Sequence, residues 1–226
     1  MKKLLCLALA VLMLFALAAC AQNNNETLTP DTPATTKAPE TTQAPETTQA
    51  PAPAEAPTPA EIEAAIAAAL GDGYLAVAEI SEDEIFMSPI GWLDQEKVKS
   101  YVAKQALVSA VDLDTVCIAE VEEGYADEAV SVFNQSFAQT MSYIRQYPFG
   151  VAKVENARIY KVDNTVMLII AGASPDENMD AEAEAKLAAE EYAKIDAALE
   201  KLFGYVPENL AVIPEDNGSG GGLLGG

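Results

Sequence analysis

Hydrophobic and polar positions follow a helical period in two long stretches of this chain. Between Ala126 and Gln146, apolar residues recur at steps of three and four, which places them on one face of an α-helix. This face comprises Val130, Phe133, Phe137, Met141 and Ile144. A second helix is predicted from about Asn178 to Phe203, and its apolar stripe comprises Ala188, Tyr192, Ile195, Leu199 and Leu202. The pattern therefore predicts two long amphipathic helices.

Three other stretches are rich in β-branched and large apolar residues, as is typical of strands. The sequence DTVCIAEVE, residues 114–122, predicts a first strand, which Gly124 then ends. The sequences ARIYKV and VMLIIAG flank Asp163-Asn164-Thr165, a short connection of turn-forming residues. The two sequences therefore predict an antiparallel β-hairpin.

Shorter segments lie before the first strand. A helix is predicted over residues 59–70, since Pro and Glu favour its start and Gly71 follows its end. Residues 74–80 fit either a strand or part of a segment that leads into a helix. Residues 81–87 begin with a capping-box pattern and predict a helical turn. The sequence LDQEKVKSY, residues 93–101, predicts another short helix.

The order strand, helix, hairpin, helix is typical of an α+β domain. We predict a small antiparallel sheet packed against two long amphipathic helices, in a single domain over residues 59–214. A linker, residues 20–58, precedes the domain, and a flexible Gly-rich tail, residues 215–226, follows it.

The linker is rich in Pro, Thr, Ala, Gln and Glu and has almost no large apolar side chains. The sequence APETTQ occurs at residues 38–43 and again at residues 44–49. Such a segment cannot bury enough apolar surface to offset its ordering entropy, so we expect it to be disordered. It is either a spacer that lifts the domain off a membrane or a passive leader.

Residues 1–19 have a basic start, a short apolar middle and a small-residue end, which are the three parts of a secretory signal. The end of this segment, Leu17-Ala18-Ala19-Cys20, resembles the lipobox of bacterial lipoproteins. The resemblance implies that the Cys20 thiol is diacylated and that residues 1–19 are removed as a signal peptide. An uncleaved helix and an ordinary signal peptide with a chance cysteine are the alternatives.

Acidic residues outnumber basic ones, 35 to 13, and give a formal net charge of −22. Removal of residues 1–19 takes away two lysines and no acid, which leaves −24. Nucleic acid and anionic lipid surfaces repel such a chain. We therefore expect no nucleic-acid partner, and we expect the acyl chains on Cys20 to provide the membrane attachment.

The sequence VCIAEVEEG, the long helix after it, the stretch YPFGVAKVENARIYKVDNTVMLIIAG and the last helix together resemble a family of Gram-positive lipoproteins, domain of unknown function 4358. The resemblance covers roughly residues 81–203 and is a pattern of fold rather than of chemistry. It implies a Gram-positive host of clostridial type and a location in the cell envelope. It supplies no catalytic residues.

The residue types present exclude several reaction classes. Histidine is absent, which excludes Ser-His-Asp and Cys-His schemes and removes the commonest zinc ligand. No serine of the domain has a lysine three positions later, as an S-x-x-K site requires. Cys117 lies between apolar residues of a predicted strand, and we expect an inert buried thiol. We predict no catalytic residue, no cofactor and no metal ligand.

The sequence DENMDAE, residues 176–182, begins like a calcium-binding loop because carboxylates and an amide alternate. The match ends at Ala181, where the loop needs Gly, and at Leu187, where it needs Glu. Capping of the last helix by Asp176 or Asn178 is the favoured interpretation. Weak binding of calcium or magnesium by the acidic surface stays open.

Three aromatic residues, Trp92, Tyr147 and Phe149, lie near Pro or Gly in predicted loops. Packing over the core is the favoured interpretation of these side chains. Stacking on a sugar or on a partner protein is the alternative.

These features favour a lipid-anchored extracytoplasmic protein, held at the outer face of the cytoplasmic membrane, whose domain is a non-catalytic interaction or accessory module of the cell envelope. A carboxylate-dependent cell-envelope hydrolase and a small ligand- or solute-binding lipoprotein are the alternatives. The expected partners are the membrane, through diacylglyceryl on Cys20, and an envelope protein or a cell-wall glycan.

Overall fold

The structure, a computed structural model, describes three ranges of the chain, residues 56–108, 112–146 and 150–215. The predicted signal peptide, Cys20, the linker up to residue 55 and the tail from residue 216 lie outside the described residues. No helix within the described ranges is long and apolar enough to cross a membrane.

Five strands form one sheet in the described part of the chain: β1 (Ala78–Glu79), β2 (Val98–Gln105), β3 (Thr115–Val121), β4 (Arg158–Val162) and β5 (Thr165–Ile170). Their order across the sheet is β1-β2-β3-β5-β4, and every neighbouring pair is antiparallel. β3 is therefore the central strand, with β2 on one side and β5 on the other.

Four α-helices belong to the same ranges: α1 (Pro59–Leu70), α2 (Ala126–Ile144), α3 (Val151–Glu155) and α4 (Ala181–Phe203). A capping box starts α1, since the Thr58 hydroxyl accepts from the Glu61 amide at 3.3 Å and the Glu61 carboxylate accepts from the Thr58 amide at 2.8 Å. At the start of α4 the Asp180 carboxylate accepts from the Ala183 amide at 2.9 Å.

Helices cover both faces of the sheet because the central strand is apolar on both faces. Cys117 and Ala119 of β3 face α2 and α3, whereas Val116 and Ile118 face α1 and α4. The α2 side is filled by the buried helical residues Phe133, Phe137 and Met141, and the opposite side by Tyr192, Ile195 and Leu199 of α4. The sheet therefore separates two hydrophobic cores.

The predicted α+β fold is confirmed, and the two long amphipathic helices pack on opposite faces of the antiparallel sheet. The predicted helix over residues 59–70, the strand within residues 114–122 and the β-hairpin are confirmed as well. Asp163 in the hairpin turn has a φ of 50°, a left-handed conformation that Asp adopts more readily than most residues.

The predicted helix over residues 93–101 is wrong. Only Gln95–Lys97 form a single turn of 3-10 helix, at whose start the Asp94 carboxylate accepts from the Glu96 amide at 3.2 Å. The chain then enters β2, which pairs with the central strand from Val98 onward. Pairing with an otherwise open edge of β3 outweighs the local helix propensity of this charged stretch.

The predicted cap of the last helix is also wrong, because α4 begins after Asp180 rather than after Asp176 or Asn178. Asp176 instead accepts from the Asn178 amide at 2.9 Å in the turn before the helix. Of the two shorter segments, residues 74–80 contain only the two-residue strand β1, and residues 81–87 contain a 3-10 turn at Ile85–Met87.

The segment after α4 closes the outer edge of β4. The Leu210 amide donates to the Ile159 carbonyl at 2.7 Å, and the Asn209 side chain accepts from the Ile159 amide at 3.0 Å. The Asn209 side-chain amide also donates to the Ala157 carbonyl at 3.2 Å. Asn134 of α2 holds the same segment, since it donates to the Leu210 carbonyl at 3.1 Å. We call residues 209–212 the C-terminal strap.

We expect Asn209→Ala to lower the free energy of unfolding by about 1–3 kcal/mol, because it leaves the Ile159 amide and the Ala157 carbonyl without their partner. Chemical denaturation followed by circular dichroism measures the change. Asn178→Ala is the matched control, since its exposed side chain donates to the Asp176 carboxylate in a surface turn. An equal effect of both substitutions would show that Asn209 does not hold the strap.

Candidate functional site

A buried group of charged and hydroxyl side chains lies at the end of the sheet where β3 begins and β5 ends. The Lys153 Nζ donates to Asp114 Oδ1 at 2.6 Å and to the Ser174 hydroxyl at 3.3 Å. The Ser174 hydroxyl donates in turn to Asp112. We call Asp112, Asp114, Lys153 and Ser174 the Asp114 cluster. Its members come from three separate parts of the chain, so the tertiary fold alone brings them together.

Asp114 is the buried centre of this cluster. Its side chain is 0% exposed and that of Lys153 is 8% exposed. The second carboxylate oxygen of Asp114 accepts from the Gly172 amide at 3.2 Å. Burial raises the pKa of the Asp114 carboxyl, while the Lys153 ammonium and the Gly172 amide act in the opposite direction. The ion pair thus replaces the hydrogen bonds to water that both groups lose on folding.

Gly172 allows the chain to pass close to α4 at this point. It has a φ of 136°, and a Cβ at this position would lie 2.9 Å from the Cβ of Glu191. The neighbouring Ala173 amide donates to the Glu191 carboxylate at 3.1 Å. The close approach therefore brings a helix carboxylate onto the backbone that follows β5.

Tyr192 of α4 makes hydrogen bonds to the backbone next to the Asp114 cluster. Its hydroxyl donates to the Lys153 carbonyl at 3.0 Å and accepts from the Ala171 amide at 3.3 Å. The ring lies 4.8 Å from the Arg158 guanidinium, a cation–π contact. Burial raises the pKa of the Tyr192 hydroxyl, so the phenol stays neutral. Tyr192 therefore acts as a neutral hydrogen-bonding bridge between α3, β5 and α4.

Two further polar groups tie helices to strands on the α1 and α4 face. Glu63 of α1 accepts from Lys104 at 2.9 Å and from the Tyr74 hydroxyl at 2.6 Å. Desolvation, followed by the hydrogen bond to Glu63, raises the pKa of Tyr74. Asp196 of α4 accepts from the Arg158 guanidinium at 3.1 Å and 3.3 Å. In the described residues every buried side-chain nitrogen and oxygen has a hydrogen-bond partner.

A small cavity opens beside the Asp114 cluster. Its volume is about 20 Å³, which accommodates roughly one water molecule. Asp112, Lys153 and Ser174 provide polar groups to the wall, and Ile144 and Val154 provide apolar ones. Asp112 is the carboxylate that lines this cavity, whereas Asp114 is held behind it by Lys153. Among the described residues that line the cavity, Asp112 carries the one carboxylate, whereas glycoside hydrolysis uses a flanking pair.

Ser174 and Lys153 form a serine–lysine contact that the sequence did not reveal, since the residues are 21 positions apart. A lysine that activates serine must accept a proton from the hydroxyl. Here the Lys153 nitrogen lies 2.6 Å from Asp114 Oδ1 and 3.3 Å from the Ser174 hydroxyl. The contact links Ser174 to the Lys153–Asp114 ion pair, and the Ser174 hydroxyl in turn donates to Asp112.

Cys117 lies where the sequence placed it, in the central strand, and its side chain is fully buried. Burial raises the pKa of this thiol to about 12. The thiolate, which is the reactive form, is therefore scarce at neutral pH.

The remaining candidates that the structure describes do not belong to the Asp114 cluster. Trp92 ends a 3-10 turn and is 39% exposed, while Tyr147 and Phe149 lie outside the described residues. Asp176 and Asp180 each serve a local turn or cap. Over residues 56–108, 112–146 and 150–215, no three acidic or cysteine side chains are grouped as a metal site requires.

We expect Asp114→Ala to destabilise the domain by about 3–5 kcal/mol, because it leaves the Lys153 ammonium buried without its carboxylate. Urea unfolding of the wild type and the variant measures the difference. Asp112→Ala is the control and should cost about 1 kcal/mol, since it removes one hydrogen bond from a less buried carboxylate.

A second substitution separates charge from packing. Asp114→Ala combined with Lys153→Met removes both charges, and it should recover a large part of the lost stability. If the double variant is no more stable than Asp114→Ala alone, the unpaired ammonium is not the cause of the loss.

Comparison of the chain with protein-family models, with curated proteins and with solved structures found no match.

Proposed function

We propose that this chain is a lipid-anchored extracytoplasmic protein whose domain is a non-catalytic interaction or accessory module of the cell envelope. The observation that carries the proposal is the sequence Leu17-Ala18-Ala19-Cys20 at the end of a basic and then apolar leader. A cysteine at this place receives a diacylglyceryl group and becomes the N-terminus of the mature protein. The acceptor of lipid in this proposal is Cys20.

The negative charge of the chain is the reason that membrane attachment requires a lipid anchor. With a formal charge of −24 once residues 1–19 are removed, the protein is repelled from anionic lipid surfaces. One acyl chain gives only marginal membrane binding, whereas two or more give stable attachment. A diacylated Cys20 therefore holds at the membrane a domain that would otherwise leave it.

The linker sets the distance between the anchor and the domain. Residues 21–58 are poor in large apolar side chains and rich in proline. A segment of this length reaches about 35 Å as a flexible coil and about 120 Å when extended. In the proposed arrangement the domain can therefore contact partners well above the lipid headgroups.

The surface of the domain supports an interaction role. In the Asp114 cluster the side chains that could do chemistry are bonded to one another. Large apolar side chains are instead exposed in the segment before β2, where Phe86 is 64% and Met87 is 73% exposed. Exposed aromatic and methionine side chains are favoured contacts in protein interfaces. Membership of the family domain of unknown function 4358, with a Gram-positive host, is part of the same proposal.

The anchor is tested by Cys20→Ser, which removes the thiol that accepts lipid. We expect the variant to lose incorporation of a labelled fatty acid and to be released or left unprocessed. Cys6→Ser is the matched control, because Cys6 belongs to the segment that is removed, and it should keep the label. Unchanged labelling of Cys20→Ser would refute the anchor.

The interaction role is tested by replacing Phe86 with a photo-cross-linking amino acid in intact cells. We expect one protein partner to be captured in a defined ratio, since Phe86 lies on an exposed apolar surface. The same replacement at Lys186, an exposed residue of α4, is the control and should capture far less. Equal capture from both positions, or capture of glycan alone, would contradict the proposal.

A further inference from the structure

The two outer edges of the sheet differ in how much of each is covered by other segments of the chain. The C-terminal strap bonds to Ile159 and Ala157 and so covers the outer edge of β4. On the other side, β1 pairs with β2 only at Lys104 and Gln105, and the Ile80 amide adds one bond to the Ala103 carbonyl at 3.0 Å. The first half of β2 therefore forms an edge that β1 does not cover.

Strand geometry identifies the backbone groups on this edge. In an antiparallel strand, alternate residues direct their N–H and C=O to the same side. The Ala103 carbonyl points outward to Ile80, so the amide and carbonyl of Tyr101 point outward as well. Within the described residues, no backbone hydrogen bond joins Tyr101 to the segment that follows β1. Tyr101 thus offers a donor and an acceptor to an added strand.

The segment that leaves this edge is strongly acidic. The chain departs from β2 after Ile80, and it continues with Glu82, Asp83 and Glu84, which are all exposed. Between residues 79 and 101 there are six acids and two lysines. One of those lysines, Lys97, already pairs with Asp94 at 3.5 Å. An incoming strand next to Tyr101 therefore meets a negative field.

We propose that the open edge of β2 at Tyr101 receives an extended basic segment of a partner protein as an added strand. Main-chain bonds to Tyr101 position the segment, and lysine or arginine side chains pair with the acids that follow Ile80. Phe86 and Met87, which follow these acids, supply apolar surface to the same partner. This inference rests on the proposed interaction role and names the surface and the partner chemistry.

A second copy of the chain is disfavoured as the occupant. Two copies would bring the same acidic segments together, in a protein with a formal charge of −22. The register shift between Val98 and Ser100 interrupts the edge at Lys99, so the regular part of the uncovered edge begins at Ser100. Charge repulsion therefore disfavours a second copy, whereas the acids that follow Ile80 attract a basic segment.

The probe for the test is a short peptide of alternating lysine and valine, added to the mature lipidated chain in non-ionic detergent. We expect binding, together with a slowing of hydrogen exchange at the Tyr101 amide by about tenfold or more. The control peptide has the same side chains but alternate N-methylated amides, so it keeps the charge and cannot add as a strand. Binding of both peptides with equal affinity, unchanged exchange at Tyr101 or no binding at all would overturn the proposal.

Two sets of variants test the contacts separately. Tyr101→Pro removes the outward N–H at an edge position where proline is tolerated, and it should weaken peptide binding about tenfold relative to Tyr101→Thr. The triple change Glu82→Gln, Asp83→Asn and Glu84→Gln lies on the exposed surface and should weaken binding and reduce its salt dependence. If neither Tyr101→Pro nor the triple change weakens peptide binding, the added strand is refuted.

The failure of this inference is distinguishable from failure of the interaction role. If adding Tyr101→Pro to the Phe86 cross-linking variant leaves capture of the partner unchanged, the interaction role stands and the β2 edge is not the docking site. If the peptide slows exchange at Tyr101 while Phe86 captures no protein in cells, the edge binds strands and the proposed role in the envelope fails.

Discussion

β3 has apolar side chains on both of its faces, and the positions of the other elements follow from the need to cover them. Val116 and Ile118 require cover on one side, and Cys117 and Ala119 on the other. A single helix layer cannot satisfy this requirement, so α2 and α3 pack on one face and α1 and α4 on the other. Because burial of apolar surface is the main driving force for folding, the central strand determines the three-layer arrangement.

Around this apolar centre, carboxylates that are buried in the described residues are held in ion pairs. The buried carboxylates of Glu63, Asp114 and Glu191 each meet a lysine, and Asp114 and Glu191 also accept from backbone amides. The Glu63–Lys104 pair joins α1 to β2, and the Asp114–Lys153 pair joins the residue before β3 to α3, whereas Glu191 and Lys194 both lie in α4. The unpaired acids stay at the surface, where they set the potential that an approaching partner encounters. The buried acids therefore stabilise the fold, and in the proposed interaction the surface acids attract a basic partner.

The long elements were predictable from the sequence because each repeats its pattern several times. α2 and α4 show a helical period over five turns or more, and the hairpin has turn residues between two apolar runs. β2 was missed because the register shift at Val98 and Ser100 breaks its alternation. The Asp114 cluster was missed for another reason: Asp114 and Lys153 are 39 positions apart, and no local pattern records a contact between elements.

The C-terminal strap is synthesised after the strand edge that it covers. Ile159 and the Asn209 side chain that covers it are 50 positions apart, so the ribosome makes the edge strand well before its cover. During that interval the nascent hairpin has an unprotected margin, the kind of surface on which β-proteins aggregate. A chain that stops short of residue 209 keeps this vulnerability permanently, although its sheet and all four described helices are already encoded.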